Sequence, residues 1–194
     1  MPQLADKGTP LENYLQINRD LRKSNDAFLQ QLGQKSQEAF LWREPFLPMI
    51  NTSIKANFAE ARSYVYQGNT VDQQTHLGLD MASVHGDTVP ASNDGVVIFA
   101  GYLGIYGNCV VIDHGYGLQT LYGHLSAVDV TQGQKVSRGQ AVGRSGSTGL
   151  AGGDHLHFAI LLHGLPVTPI EWFDRKWIHD RLKLKLGGAL PFPG

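Results

Sequence analysis

The chain has 194 residues, 42% hydrophobic and 17% charged, with 16 Lys and Arg against 17 Asp and Glu and a formal charge of −1; its pI is about 6.7. That length accommodates one domain with extensions and a core that needs no disulfides. The balanced charge excludes the basic field that holds nucleic acid or anionic lipid, and the 23 glycines suit a sheet protein with many tight turns.

Residues 9–32 are predicted to be helical. Thr9-Pro10-Leu11-Glu12 offers a capping box with proline at the first helical position, and Leu11, Leu15, Leu21, Phe28 and Leu32 partly trace one stripe. Gly33 is the expected stop. A shorter helix is expected from Ser36 to Trp42, ended by Pro45 and Pro48. The start, Met1 to Asp6, has neither a basic n-region nor an apolar h-region. No stretch approaches the length of a membrane helix.

From Asn51 the pattern changes to strand-like runs bounded by Gly, Asn and Asp: residues 62–67, 95–101, 108–114, 118–124 and 155–162. Gly68-Asn69, Gly115-Tyr116-Gly117 and His163-Gly164 read as turns. Runs so close together imply antiparallel pairing rather than crossovers. The single cysteine, Cys109, falls in one of these runs and reads as structural. Residues 171–184 form an expected terminal helix after Pro169, and residues 187–194 a tail or linker.

Histidine placement carries the chemistry. In His155-Leu156-His157 two imidazoles project from one face of a strand, roughly 7 Å apart at the backbone. A second half-site is His76-Leu77-Gly78-Leu79-Asp80, and a third segment, Tyr122-Gly123-His124-Leu125, offers another imidazole. In an extended strand His76 and Asp80 lie about 13 Å apart, so common ligation of one ion requires a bend or bulge at Gly78. Two histidines and a carboxylate suit zinc and leave a fourth position open. Spacing alone leaves His155, His157 and His124 all eligible as the third ligand. His85, His163 and His179 read as structural or solvated, and His114 as a support of the sheet. Ser145-Gly146-Ser147-Thr148-Gly149 lacks the lysine of a phosphate loop and reads as a groove wall. Tyr64 or Tyr66 could donate to an oxyanion, although cross-strand packing accounts for both.

These segments, with Thr88-Val89-Pro90-Ala91, Asp94-Gly95-Val96-Val97 and Ile112-Asp113-His114-Gly115, occur in an order that resembles the LytM-type, lysostaphin-like zinc metallopeptidases. The likeness covers residues 51–174, leaving residues 1–50 as a helical extension and 175–194 as a C-terminal helix and tail. It implies a mainly β fold, an antiparallel sheet sandwich or groove, with Zn2+ held by His76, Asp80 and His157 and with His124 and His155 as the unligated catalytic histidines. It also implies an endopeptidase that hydrolyses peptidoglycan stem-peptide cross-links with metal-activated water. The expected location is the periplasm or cell envelope, with an upstream anchor or further domains outside this chain. Asp154 and Ala159 depart from the residues common in the family, which bears on groove shape. The rival expectation is a non-catalytic peptidoglycan-binding module or activator of another wall hydrolase.

Overall fold

The computed structural model describes residue 6 and residues 8–190; residues 1–5 and the last four residues of the expected tail lie outside that range. The first helix is present with its predicted cap. It is α-helical over Pro10–Leu15 (α1), π-helical over Gln16–Leu21 and α-helical again over Arg22–Gly33 (α2). The Thr9 hydroxyl accepts the Glu12 N–H, and the Glu12 side chain takes the Thr9 N–H in return. None of the described helices is long and apolar enough to cross a membrane.

The strands follow as β1 (Ser53–Ala56), β2 (Glu60–Tyr66), β3 (Asn69–His76), β4 (Leu79–Ala82), β5 (Thr88–Pro90), β6 (Gly95–Tyr102), β7 (Asn108–Asp113), β8 (Leu118–Leu125), β9 (Ala127–Val128), β10 (Lys135–Val136), β11 (Ala141–Arg144), β12 (Leu156–Leu162) and β13 (Leu165–Val167). The main sheet runs β1-β4-β12-β8-β7-β6-β10, with β13 paired to β12. A three-stranded sheet, β5-β11-β9, and the β2-β3 hairpin stand apart from it. Every pairing is antiparallel, as the short connections predict. The hairpin turn falls on Gln67 and Gly68, both left-handed.

Alternation along the central strands divides the core. Phe158 and Ile160 of β12, Tyr122 of β8 and Val110 and Ile112 of β7 face one cluster, which Trp42, Phe46 and Trp172 cover. Ala159, Leu161, Leu121, Cys109 and Val111 face the other, covered by Leu29 and Leu32 of α2. The helix docks backbone to backbone on the β12–β13 turn. A Cβ on Gly33 would stand 2.4 Å from the His163 carbonyl carbon, so only glycine permits that approach. Cys109 is wholly buried in this layer, and burial pushes its thiol pKa up.

Two helical expectations are corrected. Residues 36–48 are not a helix but run extended across the end of β7. The Asp113 carboxylate takes the Ser36 hydroxyl at 2.7 Å and the Gln37 N–H at 2.9 Å, and the Leu41 N–H donates to the His114 carbonyl. These bonds use the donors a helix would turn inward, while Trp42 and Phe46 plug the core. The terminal helix is broken into α3 (Ile170–Phe173), α4 (Arg175–Ile178), a π-turn (His179–Lys183) and α5 (Leu184–Leu186). Asp174 is extended and caps α4 by accepting the Lys176 N–H, which lets Trp172 and Ile178 both reach the core.

His114 supports the sheet. Its Nδ1–H donates to the Asp94 carbonyl at 2.6 Å, and its Nε2 lies 2.8 Å from the Thr120 hydroxyl. Burial pushes its pKa down to about 4, against the opposing pull of the Asp94 carbonyl and the Asp113 and Asp94 charges. A histidine depressed from 6.5 supports full stability above that value and loses it as pH falls toward 4. The chain is therefore expected to lose about 2 kcal/mol between pH 7 and pH 5 through this residue. Urea midpoints compared between the wild type and His114→Gln measure that component; equal slopes with pH would refute it.

Candidate metal centre

The sheet register brings the predicted residues together. His157 on β12 pairs directly with Asp80 on β4 and, on its other side, with Gly123 on β8. Leu79 and Met81 face the core cluster of Phe158 and Ile160, so Asp80 and His157 share the opposite face, the one that α2 covers further along. The chain leaves the hairpin at His76, crosses Leu77 and Gly78, and enters the main sheet at Leu79. That change of sheet is the bend that common ligation requires. A Cβ on Gly78 would lie 2.4 Å from His157 Cε1, so the glycine serves close approach rather than an unusual φ.

Three ligand atoms converge. His76 Nε2 and His157 Nδ1 each lie 2.9 Å from Asp80 Oδ1, and 3.1 Å from each other. All three residues are buried. His76 Nδ1–H donates to the Asn57 carbonyl at 2.8 Å, which leaves a lone pair on Nε2 facing the cluster. Ligand atoms on a tetrahedral zinc with bonds near 2.0 Å stand about 3.3 Å apart. The donor set and its spacing therefore fit a small dication. Burial on its own would raise the Asp80 pKa, but the neighbouring His157 and His76 rings outweigh it and hold the carboxyl below the usual carboxylate range. Burial pushes the His157 pKa down, against the opposing pull of Asp80.

His124 and His155 flank this cluster. His124 Nδ1–H donates to the Thr148 carbonyl, and His155 Nδ1–H to the Gly153 carbonyl, both at 2.8 Å. Each neutral ring thus keeps its Nε2 lone pair free for the site. The two ring centroids are 4.8 Å apart, and His155 Nε2 is 3.6 Å from Asp80 Oδ1. His155 makes one isolated antiparallel bridge, to Gly146, and precedes β12 rather than beginning it. His124 holds φ +63 within a bulge where β8 carries an extra residue against β7. Such a bulge re-aims a side chain, and a non-glycine residue at that φ is a strained state typical of functional positions. Burial, with the neighbouring His157 and His155, pushes the His124 pKa down to about 3.

A cavity of about 420 Å³ opens over the cluster, walled by Arg22, Lys55, Tyr106, Leu150 and Asp154 among others. Residues 145–149 do not form that wall. Thr148 among them holds the imidazole of His124 from behind, while Leu150 and residues 152–154 face the cavity. Asp154 ties neighbouring loops by accepting the Ser145 hydroxyl and the Gly86 N–H. Tyr64 packs on Tyr14 beside an apolar groove that Tyr66 also lines, away from the cluster. The aromatic at the site is instead Tyr106, whose ring centroid is 5.5 Å from that of His157. Sequence reasoning also passes over Arg62, which donates to Asp80 Oδ2 at 2.9 Å. The period of two that puts Arg62 on the same face as Tyr64 is the available signal.

Residues 74–169 match the sequence model of peptidase family M23. The chain is 47% identical over 96 residues to the DD-carboxypeptidase/endopeptidase Mpg of Neisseria meningitidis, an overlap covering 50% of this chain and 22% of that protein. It is 34% identical over 169 residues to the peptidoglycan DD-endopeptidase ShyA of Vibrio cholerae, covering 87% of this chain and 36% of the relative. The chain thus spans between about a fifth and a little over a third of these relatives. Among solved structures, the catalytic domain of the antimicrobial peptidase lysostaphin from Staphylococcus simulans superposes with a TM-score of 0.54 at 27% identity, over 63% of this chain and 92% of that domain.

Proposed function

The chain belongs to peptidase family M23 through the domain at residues 74–169, and on that premise we propose that it is a zinc-dependent endopeptidase of bacterial peptidoglycan, acting on stem-peptide cross-links in the periplasm or cell envelope. One observation carries the reading: three metal-ligand atoms within 3.1 Å of one another, with two more imidazoles beside them whose Nε2 lone pairs are free. The activities for which the relatives from Neisseria and Vibrio are named support the substrate class.

His76, Asp80 and His157 would hold the ion. Zinc, when bound, supplies Lewis acidity that activates water near neutral pH and polarises a carbonyl. The residues of the chain do the rest. His155, the less buried of the flanking pair and a neighbour of His157 along the chain, accepts the proton from water and returns it to the leaving amine. His124, clamped by the Thr148 carbonyl, orients the reacting groups and steadies the developing oxyanion. Both rings line the cavity that opens over the cluster.

Metal removal tests the reading. Chelator treatment is expected to abolish release of peptide fragments from purified peptidoglycan, and stoichiometric zinc to restore it, with mass spectrometry of the fragments identifying the bond cut. Hydrolysis that persists after complete metal stripping would count against the proposal.

A further inference from the structure

Asp80 divides its two oxygens between different partners. Oδ1 faces His76 Nε2 and His157 Nδ1, while Oδ2 accepts from Arg62 Nη2 at 2.9 Å. The carboxylate is buried, and the guanidinium, about one-third exposed, lines the cavity. A second carboxylate, Glu60, lies 3.4 Å from Arg62 Nε and shares it. The strand bearing Arg62 is not a loose arm. Its neighbour Tyr64 packs on Tyr14 of α1, and Asp72 of β3 receives Asn18 Nδ2 at 2.8 Å and Arg19 Nε at 3.0 Å from the π-helical segment. The hairpin is thus braced, along the face that carries Arg62, by a helix that lies outside the family-matching residues, and the arginine reaches from that face to a metal-ligand candidate.

A carboxylate beside a dication can bind through one oxygen or through both. Binding through both would fill the coordination position that hydrolysis needs for water. A guanidinium is a planar, permanently charged donor with fixed directions, suited to occupying one chosen oxygen. Outer partners of this kind orient the ligands they touch. We propose that Arg62 is a positioning residue that restricts Asp80 to one-oxygen ligation and so keeps the fourth position open. The inference rests on the metal-centre reading above. A purely structural ion pair joining hairpin to sheet would affect stability and leave the coordination number unchanged.

The distinguishing experiment loads the whole chain with cobalt(II) in place of zinc and records its visible spectrum, because four-coordinate cobalt absorbs far more strongly than five- or six-coordinate cobalt. The wild type is expected to give the intense four-coordinate bands. Arg62→Gln is expected to lose band intensity severalfold and to lower peptidoglycan hydrolysis about 10–100-fold. Arg62→Lys, which keeps the charge without the planar fork, should behave like the glutamine variant, and carries the test alone if that variant does not fold. Wild-type bands in either variant, or weak bands in the wild type, would overturn the role given to Arg62. A wild type that takes up neither zinc nor cobalt would instead sink the metal centre itself.

Discussion

Replacing His124 with alanine is expected to leave one zinc per chain and to lower turnover of purified peptidoglycan by about 10²–10⁴-fold. The imidazole touches no ligand atom, but its Nδ1–H is spent on the Thr148 carbonyl and its Nε2 faces the site. Alanine at φ +63 keeps the left-handed strain that the histidine already bears and loses the bond to the Thr148 carbonyl, so a stability loss would accompany the chemical one. His124→Asn separates the two, since asparagine tolerates the left-handed region. Equal loss of turnover in both variants, with zinc retained, assigns the effect to the ring. A non-catalytic wall-binding module would keep its full activity in either variant, and wild-type turnover in His124→Asn would remove His124 from the mechanism.

Gly78→Ala is expected to eliminate stoichiometric zinc binding while the circular dichroism of the sheet persists. The added methyl would stand 2.4 Å from His157 Cε1, 2.6 Å from Nε2 and 2.9 Å from the Phe158 carbonyl oxygen. The backbone opposite is held in the β4–β12 ladder, so the ring must give way, and His157 Nδ1 leaves its place beside Asp80. Overpacking of this kind costs about 1–3 kcal/mol, which a unit of this size tolerates. Gly152→Ala is the matched control, because a Cβ there meets nothing within 4 Å and zinc content should not change. Full zinc occupancy in Gly78→Ala would show that the ring is not held where the ion needs it.

Alternation and turn residues mark the strands, and both signals are local. That is why the runs expected over 118–124 and 155–162, found as Leu118–Leu125 and Leu156–Leu162, and the antiparallel order emerge from the residues alone. The same holds for the Thr9-Pro10-Glu12 cap, whose hydrogen bonds span three residues. The helix expected over residues 36–42 fails for the opposite reason. Its competing partners, Asp113 and the His114 carbonyl, lie more than seventy residues away along the chain, and no window of local propensity contains them. The unbroken terminal helix fails because Asp174 leaves the helical conformation to cap the Arg175–Ile178 turn.

At the candidate site the chain by itself specified which residue types could bind an ion, and it required a bend at Gly78 because an extended strand holds His76 and Asp80 too far apart. Tertiary structure decided the rest. Sheet register set Asp80 opposite His157, a bulge in β8 turned His124 inward, and carbonyls of Asn57, Thr148 and Gly153 chose which nitrogen of His76, His124 and His155 carries the proton. Arg62 and Tyr106 joined the site only through packing, because a guanidinium or a ring announces its partner by distance in space, and spacing along the backbone does not encode that distance.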